Sequence, residues 1–175
     1  MTTFIVLLRG INVSGKNRLK MQDLLAMLAK HQLKNCQSYI QSGNLIVKTK
    51  LSKGDLKNLI EEQLLQEFSI ETEALVFSKV ELLQICTSIN YQNEPTKERY
   101  YTFLTRTPNK ECLLAAASID TANDSFVCNE TTIYIHCPGG YGKTKLSNNF
   151  FEKKLKCKAT TRNYNTLNKL LLLSQ

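Results

Sequence analysis

Arg9, Asn12, Lys16 and Asn17 fall within the stretch RGINVSGKN, and Gln41, Ser42 and Asn44 fall within QSGN. A guanidinium, an ammonium, four carboxamides and a hydroxyl are groups that hold an anion: fixed positive charge with orientable hydrogen bonds around it. Gly10, Gly15 and Gly43 add backbone that can turn its N–H groups toward a ligand, as glycine-rich loops and helix starts do. A plainer use competes with this one. In it the glycines only make turns, and the amides only satisfy the backbone of their own loop. Both uses stay open at the level of sequence.

Two later stretches carry similar groups. CPGGYGKT, residues 137–144, brings Gly142, Lys143 and Lys145 to the start of an expected helix. A phosphate loop of the form G-x-x-x-x-G-K-[ST] would need glycine at Cys137, and the strand before it belongs to a hairpin rather than a parallel sheet. That leaves a looser anion contact, or a simple glycine turn. ATTRNYNTLNK, residues 159–169, offers Thr161, Asn163 or Asn165 as caps for a last helix. Arg162 is then left to fork onto a carboxylate or phosphate.

Catalytic constellations are missing from the sequence. His31 and His136 each stand alone, no serine sits in G-x-S-x-G, and no acid pair stands out. The six cysteines, at 36, 86, 112, 128, 137 and 157, contain no C-x-x-C pair. Neither a zinc site nor a disulfide framework is expected, and the thiols read as small core residues kept reduced. No metal and no cofactor is expected.

Positive charge gathers at the two ends. Residues 1–20 carry +4, residues 21–142 carry −3 and residues 143–175 carry +7, which together make +8. Such ends favour anionic partners, although EKKLKCK at 152–158 also reads as a solvated helix face. The apolar run at the start is too short for an export signal, and no stretch reaches the length of a membrane span. A cytoplasmic protein without membrane attachment is expected.

The elements that must position these residues follow from periodicity. TFIVLL at 3–8 reads as a strand buried on both faces. Met21, Leu24, Leu25 and Leu28 follow helical spacing. CQSYIQ and NLIVKT flank Ser42-Gly43 as a two-residue hairpin. Ser52 with Asp55 opens a second helix, with Leu56, Leu59, Ile60 and Leu64 as its buried stripe. ETEALVFS closes a β-α-β-β-α-β order over 3–78. A linking helix at about 79–89 has Ser78 and Glu81 at its start, and a related order follows. ERYYTFLT is a strand, a helix is capped by Thr107 with Pro108 in its first turn, DSFVCN and TTIYIHC pair, and KTKLSNNFFEKKL is a helix. The last helix, at about 163–173, buries Leu167, Leu170 and Leu171.

In a split β-α-β unit the end of the first strand and the hairpin after the second lie at one sheet edge. RGINVSGKN and QSGN therefore meet there whatever their use. The expected fold is α+β: two ferredoxin-like subdomains packed together, with antiparallel or mixed sheets and helices on one face. The division falls at residue 78, giving 1–78 and 79–175.

Taken together, these residues resemble a bacterial family known as domain of unknown function 1697. The matching residues are Leu7 to Val13, Gly15 to Asn17, Lys20-Met21, Tyr39 to Asn44, Gly142 with Lys145-Leu146, and Thr160 to Thr166. Ser14 stands where the family has glycine, which would stiffen the loop, and Tyr164 stands where it has tryptophan. The resemblance implies paired ferredoxin-like subdomains and no assigned activity.

The resulting expectation is an anion-binding protein using Arg9, Asn12, Lys16, Asn17, Gln41, Ser42, Asn44, Lys143, Lys145, Arg162 and Asn163. Its partner would be a nucleotide, a phosphorylated small molecule or nucleic acid. An enzyme acting on such a molecule, and a structural or protein-interaction module, are the alternatives.

Overall fold

Phe4–Leu8 are all buried, and with Thr2 and Thr3 they form β1 (Thr2–Leu8). The computed structural model describes every residue except Ser14, Lys34, Ile89 and Gln175. The stiffening expected of Ser14 therefore lies outside the described residues. After β1 come α1 (Met21–Lys30), β2 (Cys36–Tyr39), β3 (Asn44–Thr49), α2 (Lys53–Phe68) and β4 (Ala74–Ser78). The sheet order is β2-β3-β1-β4, with every neighbouring pair antiparallel. Alternation divides β1 between two faces. Phe4, Val6 and Leu8 join one core cluster with Leu24, Met27 and Leu28 of α1 and Leu56, Ile60 and Leu64 of α2. Ile5 and Leu7, on the other face, are also fully buried. This is why the strand is apolar at every position from Phe4 on.

Helix starts follow their side chains. Ser52 Oγ accepts the Asp55 amide at 3.1 Å and opens α2. At α3 (Lys79–Cys86) the capping is reciprocal: Ser78 N donates to Glu81 Oε2 at 2.7 Å, and Glu81 N donates to Ser78 Oγ at 3.2 Å.

The order then repeats. β5 (Arg99–Leu104), α4 (Lys110–Ala117), β6 (Ser125–Asn129), β7 (Thr132–His136), α5 (Asn148–Leu155) and β8 (Ala159–Asn163) precede α6 (Tyr164–Leu173). Their sheet runs β6-β7-β5-β8, again antiparallel throughout. Its helix-side core gathers Leu104, Ala116, Ile133, Ile135, Leu146, Phe151 and Leu155. The fold class is thus α+β, with two four-stranded antiparallel sheets and six α-helices among the described residues. The chain divides into two compact units: Met1–Gln84 with Lys169–Gln175, and Ile85–Asn168. No helix among the described residues is long and apolar enough to cross a membrane.

Several local expectations are corrected. Residues 159–163 are a strand rather than a capping loop, and of their residues Asn163 does cap α6, its Oδ1 accepting the Thr166 amide at 2.8 Å. The first hairpin closes with four residues rather than two, because the last pair of the ladder is Tyr39 with Asn44. Asn109, not Thr107, caps α4, accepting the Cys112 amide at 2.8 Å, so Pro108 lies before the helix. α3 ends at Cys86. α5 starts only at Asn148, since Ser147 caps it and Tyr141–Lys143 form a separate 3₁₀ turn.

Candidate functional site

The loop after β1 is built on left-handed backbone. Gly10, Asn12, Gly15 and Asn17 have φ of +66°, +56°, +76° and +48°. Glycine and asparagine are the residues that enter this region at least cost, which explains their spacing through RGINVSGKN. The loop is tied on both sides of β1. Leu8 N donates to Gly43 O at 2.8 Å, and Arg9 N donates to Glu73 O at 3.0 Å. Thr72 Oγ1 donates to Arg9 O at 2.6 Å. The β1 end and the hairpin therefore meet at one sheet edge.

Asn12 knots this edge together. Its Oδ1 accepts Leu19 N at 2.8 Å, while its Nδ2 donates to Leu19 O at 2.8 Å and to Gln41 O at 2.7 Å. Asn17 Nδ2 donates to Gly10 O at 3.1 Å. Asn44 is fully buried, and its Nδ2 donates to Tyr39 O at 3.0 Å and Ser42 Oγ at 2.9 Å. These amides hold their own loops, as buried polar groups must.

Beside the knot lies a cleft of about 570 Å³, lined by Asn12, Arg18, Leu19, Lys20, Asp23, Gln41 and Phe68. Asn12 and Gln41 come from the expected set. Arg9, Lys16, Asn17, Ser42 and Asn44 share the loop and hairpin but are not part of this lining. The sequence reading missed Arg18 and Lys20, although both belong to the same basic run, because loop geometry decides which cations reach the cleft. Phe68 could be found only from the fold, since it ends a different helix, α2. Lys20 stands at the N-cap of α1 in extended backbone, and its side chain does not cap the helix. Asp23 sits in its first turn, where the helix dipole favours negative charge.

The remaining expected residues belong to the second unit. Lys143 lines a small hollow of about 180 Å³ with Thr121, Asp124 and the Pro138–Gly140 turn. Lys145 Nζ donates to Asp120 O at 3.1 Å. Residues 144–147 separate the glycine turn from α5, so the local geometry is not that of a phosphate loop running straight into a helix. Arg162 is buried in β8, where Nη1 donates to Thr160 Oγ1 at 2.8 Å and to Thr161 O at 2.9 Å. Burial pushes its guanidinium down to about 10. His136 is not alone: its Nε2 lies 3.2 Å from Glu98 Oε2 and 3.4 Å from Glu94 Oε2. His31 Nε2 lies 4.0 Å from Glu67 Oε1. Among the described residues no group of His, Cys, Asp and Glu has the arrangement of a metal site.

Two repeats of one antiparallel order, with a glycine- and asparagine-built loop at the first sheet edge, define an α+β protein with one four-stranded sheet in each repeat. The chain belongs to the family described as Protein of unknown function (DUF1697), whose family model matches residues 1–134. The later motifs, Gly142 with Lys145-Leu146 and Thr160 to Thr166, lie beyond that match. No curated protein matches the chain. Among solved structures it is similar to the conserved bacterial protein SP0830 from Streptococcus pneumoniae. The two share 22% identity and a TM-score of 0.77, over 99% of each chain. That likeness concerns the fold.

Proposed function

We propose that this is a cytoplasmic, ferredoxin-like protein that binds an anionic ligand, either a nucleotide, a phosphorylated small molecule or nucleic acid. The observation that carries this reading is the cleft at the first sheet edge, whose lining sets two cations, Arg18 and Lys20, against one acid, Asp23, beside Asn12, Gln41, Leu19 and Phe68. Cations supply attraction, amides supply orientation, and the apolar residues offer a surface to a ring or sugar, a combination typical of small-molecule sites. Arg9 and Lys16, on the same loop, add to the positive field. A second reading has its own support. Asn12, Asn17 and Asn44 donate to carbonyls of their own loops, which is what a purely structural module would require.

A thermal-shift screen of nucleotides, phosphosugars and oligonucleotides separates the two. A ligand at a hundred times its Kd stabilises the native state by roughly 2.7 kcal/mol. The expected result is a shift from at least one of these classes that is lost in Arg18→Gln/Lys20→Gln. A shift that collapses with added salt identifies nucleic acid, and one that survives moderate salt identifies a small molecule. No shift from any class, or one that the double variant leaves unchanged, would favour the structural module.

A further inference from the structure

Arg99 begins β5 and is only 8% exposed. Its guanidinium carbon lies 4.1 Å from the centroid of the Tyr164 ring, and Tyr164 is the first residue of α6. Stacking occupies the flat face of a guanidinium and leaves its N–H groups directed outward in the plane. One of them is stranded: Arg99 Nε is sealed from solvent and finds no acceptor among the described residues. The acids nearest in sequence turn elsewhere, Glu98 and Glu94 both onto His136. A buried arginine keeps its charge, and a buried donor without an acceptor costs about 1–3 kcal/mol. An oxygen of an anion placed at that edge would answer both at once.

The surroundings reinforce the positive field. Tyr101 faces Arg162 across the β5–β8 ladder, and Arg99 stands two residues before Tyr101. Arg99 and Arg162 are thus diagonal neighbours on one sheet face, a relation that sets residues roughly 7–8 Å apart and their Cβ atoms somewhat closer. Arg162 is also 8% exposed. α6 starts at the same place; Asn163 already takes its Thr166 amide, so what the helix start adds is the positive end of its dipole.

We propose that Arg99, stacked on Tyr164 at the start of α6, forms an oxyanion site in the second unit that takes a phosphate or carboxylate group. It is a different site from the cleft of the first unit, and its test is independent of that cleft. The Nε and one Nη group grip two oxygens in the bidentate manner of arginine once the side chains that seal Nε from solvent part, with Arg162 adding to the positive potential.

The chain contains no tryptophan, so Tyr164→Trp places a single emitter against the guanidinium. The full-length Tyr164→Trp protein is titrated with sodium phosphate and with sodium acetate at constant ionic strength, with chloride as the balancing salt. A saturable emission change with one or both anions is expected, and the anion that saturates at lower concentration assigns the ligand as phosphate or carboxylate. Adding Arg99→Lys keeps the charge but not the fork, and weakens the response about tenfold, the worth of one charge-assisted hydrogen bond. Adding Arg99→Met abolishes it, while Arg18→Gln leaves it unchanged. No saturable change with either anion would overturn the proposal, as would an Arg99→Met protein that responds like its parent. Should Arg99→Met fail to fold, Arg99→Lys decides, and an affinity equal to that of Tyr164→Trp alone overturns the proposal.

Discussion

Ile40 has φ of +51° and is 50% exposed. A β-branched side chain is the worst suited to left-handed backbone, and its exposure returns little burial in exchange. Gly43, three residues later in the same hairpin loop, also has positive φ, but with an evident cause. A Cβ there would lie 2.8 Å from Leu8 Cβ. The pair makes a controlled comparison. Ile40→Asn is expected to stabilise the protein by about 1 kcal/mol, since asparagine enters this region cheaply. Gly43→Ala is expected to cost about 3 kcal/mol, from strain and overpacking together. Urea midpoints check both, and an Ile40→Asn protein less stable than its parent would show that the isoleucine holds something the backbone argument omits. The residue scale also shows the limit of spacing. RGINVSGKN and QSGN identify themselves as special by composition, and their meeting follows from topology. Which of their amides face a ligand does not, because Asn12, Asn17 and Asn44 find carbonyls that only the folded loops bring near.

The elements whose signals are local were legible. α2 begins where Ser52 and Asp55 say it should, and α3 begins at the Ser78–Glu81 box. β8 was not. ATTRN has no alternation of apolar and polar residues, because the polar groups on both its faces are satisfied within the fold. On one face Thr161 Oγ1 lies 2.6 Å from Thr102 Oγ1, receives the Tyr141 hydroxyl at 3.0 Å and donates to Asn148 Oδ1 at 2.7 Å. On the other, Arg162 reaches Thr160. A strand whose neighbours are chosen by tertiary structure leaves no period to read. The α3 box carries a pH prediction. Partial burial works to raise the Glu81 carboxyl, but hydrogen bonds from Lys53 and from the Ser78 amide and hydroxyl outweigh it and hold the group below the usual carboxylate range. A depressed folded value means that Glu81 contributes stability above its unfolded pKa and loses it as pH falls through the folded one. The stability difference between the wild type and Glu81→Gln should be constant near neutrality and vanish at pH values below the ordinary carboxylate range. Parallel stability curves down to acid pH would remove Glu81 from the account.

At the scale of the whole molecule, the chain is built like an ordinary α+β core with its charge set apart. Apolar strands and helix stripes close two cores, while positive charge gathers at 1–20 and 143–175. Five of the six cysteines lie outside the charged ends, and Cys157, within 143–175, is buried all the same. All six are free, and Cys86, Cys137 and Cys157 are buried. Burial pushes the Cys36 thiol up to about 11 and the Cys137 thiol up to about 11; it takes Cys86 up to about 12 despite the opposing charge of Arg99. The thiolate is the reacting species, so at pH 8 roughly a thousandth or less of these groups is competent even before access is considered. Iodoacetamide at that pH should therefore leave Cys86 and Cys137 unmodified in the native protein. Unfolding in denaturant without reductant should then expose thiols that react at the rate of ordinary peptide cysteine, and the intact mass should show six adducts. Each thiol also reports on its own unit, Cys36 on the first and Cys86 and Cys137 on the second. A mass short by two adducts would mean a disulfide. Native labelling of Cys86 or Cys137 at the unfolded rate would mean that the second unit opens far more readily than its packing implies, because a thiol held neutral by burial reacts only when that burial is lost.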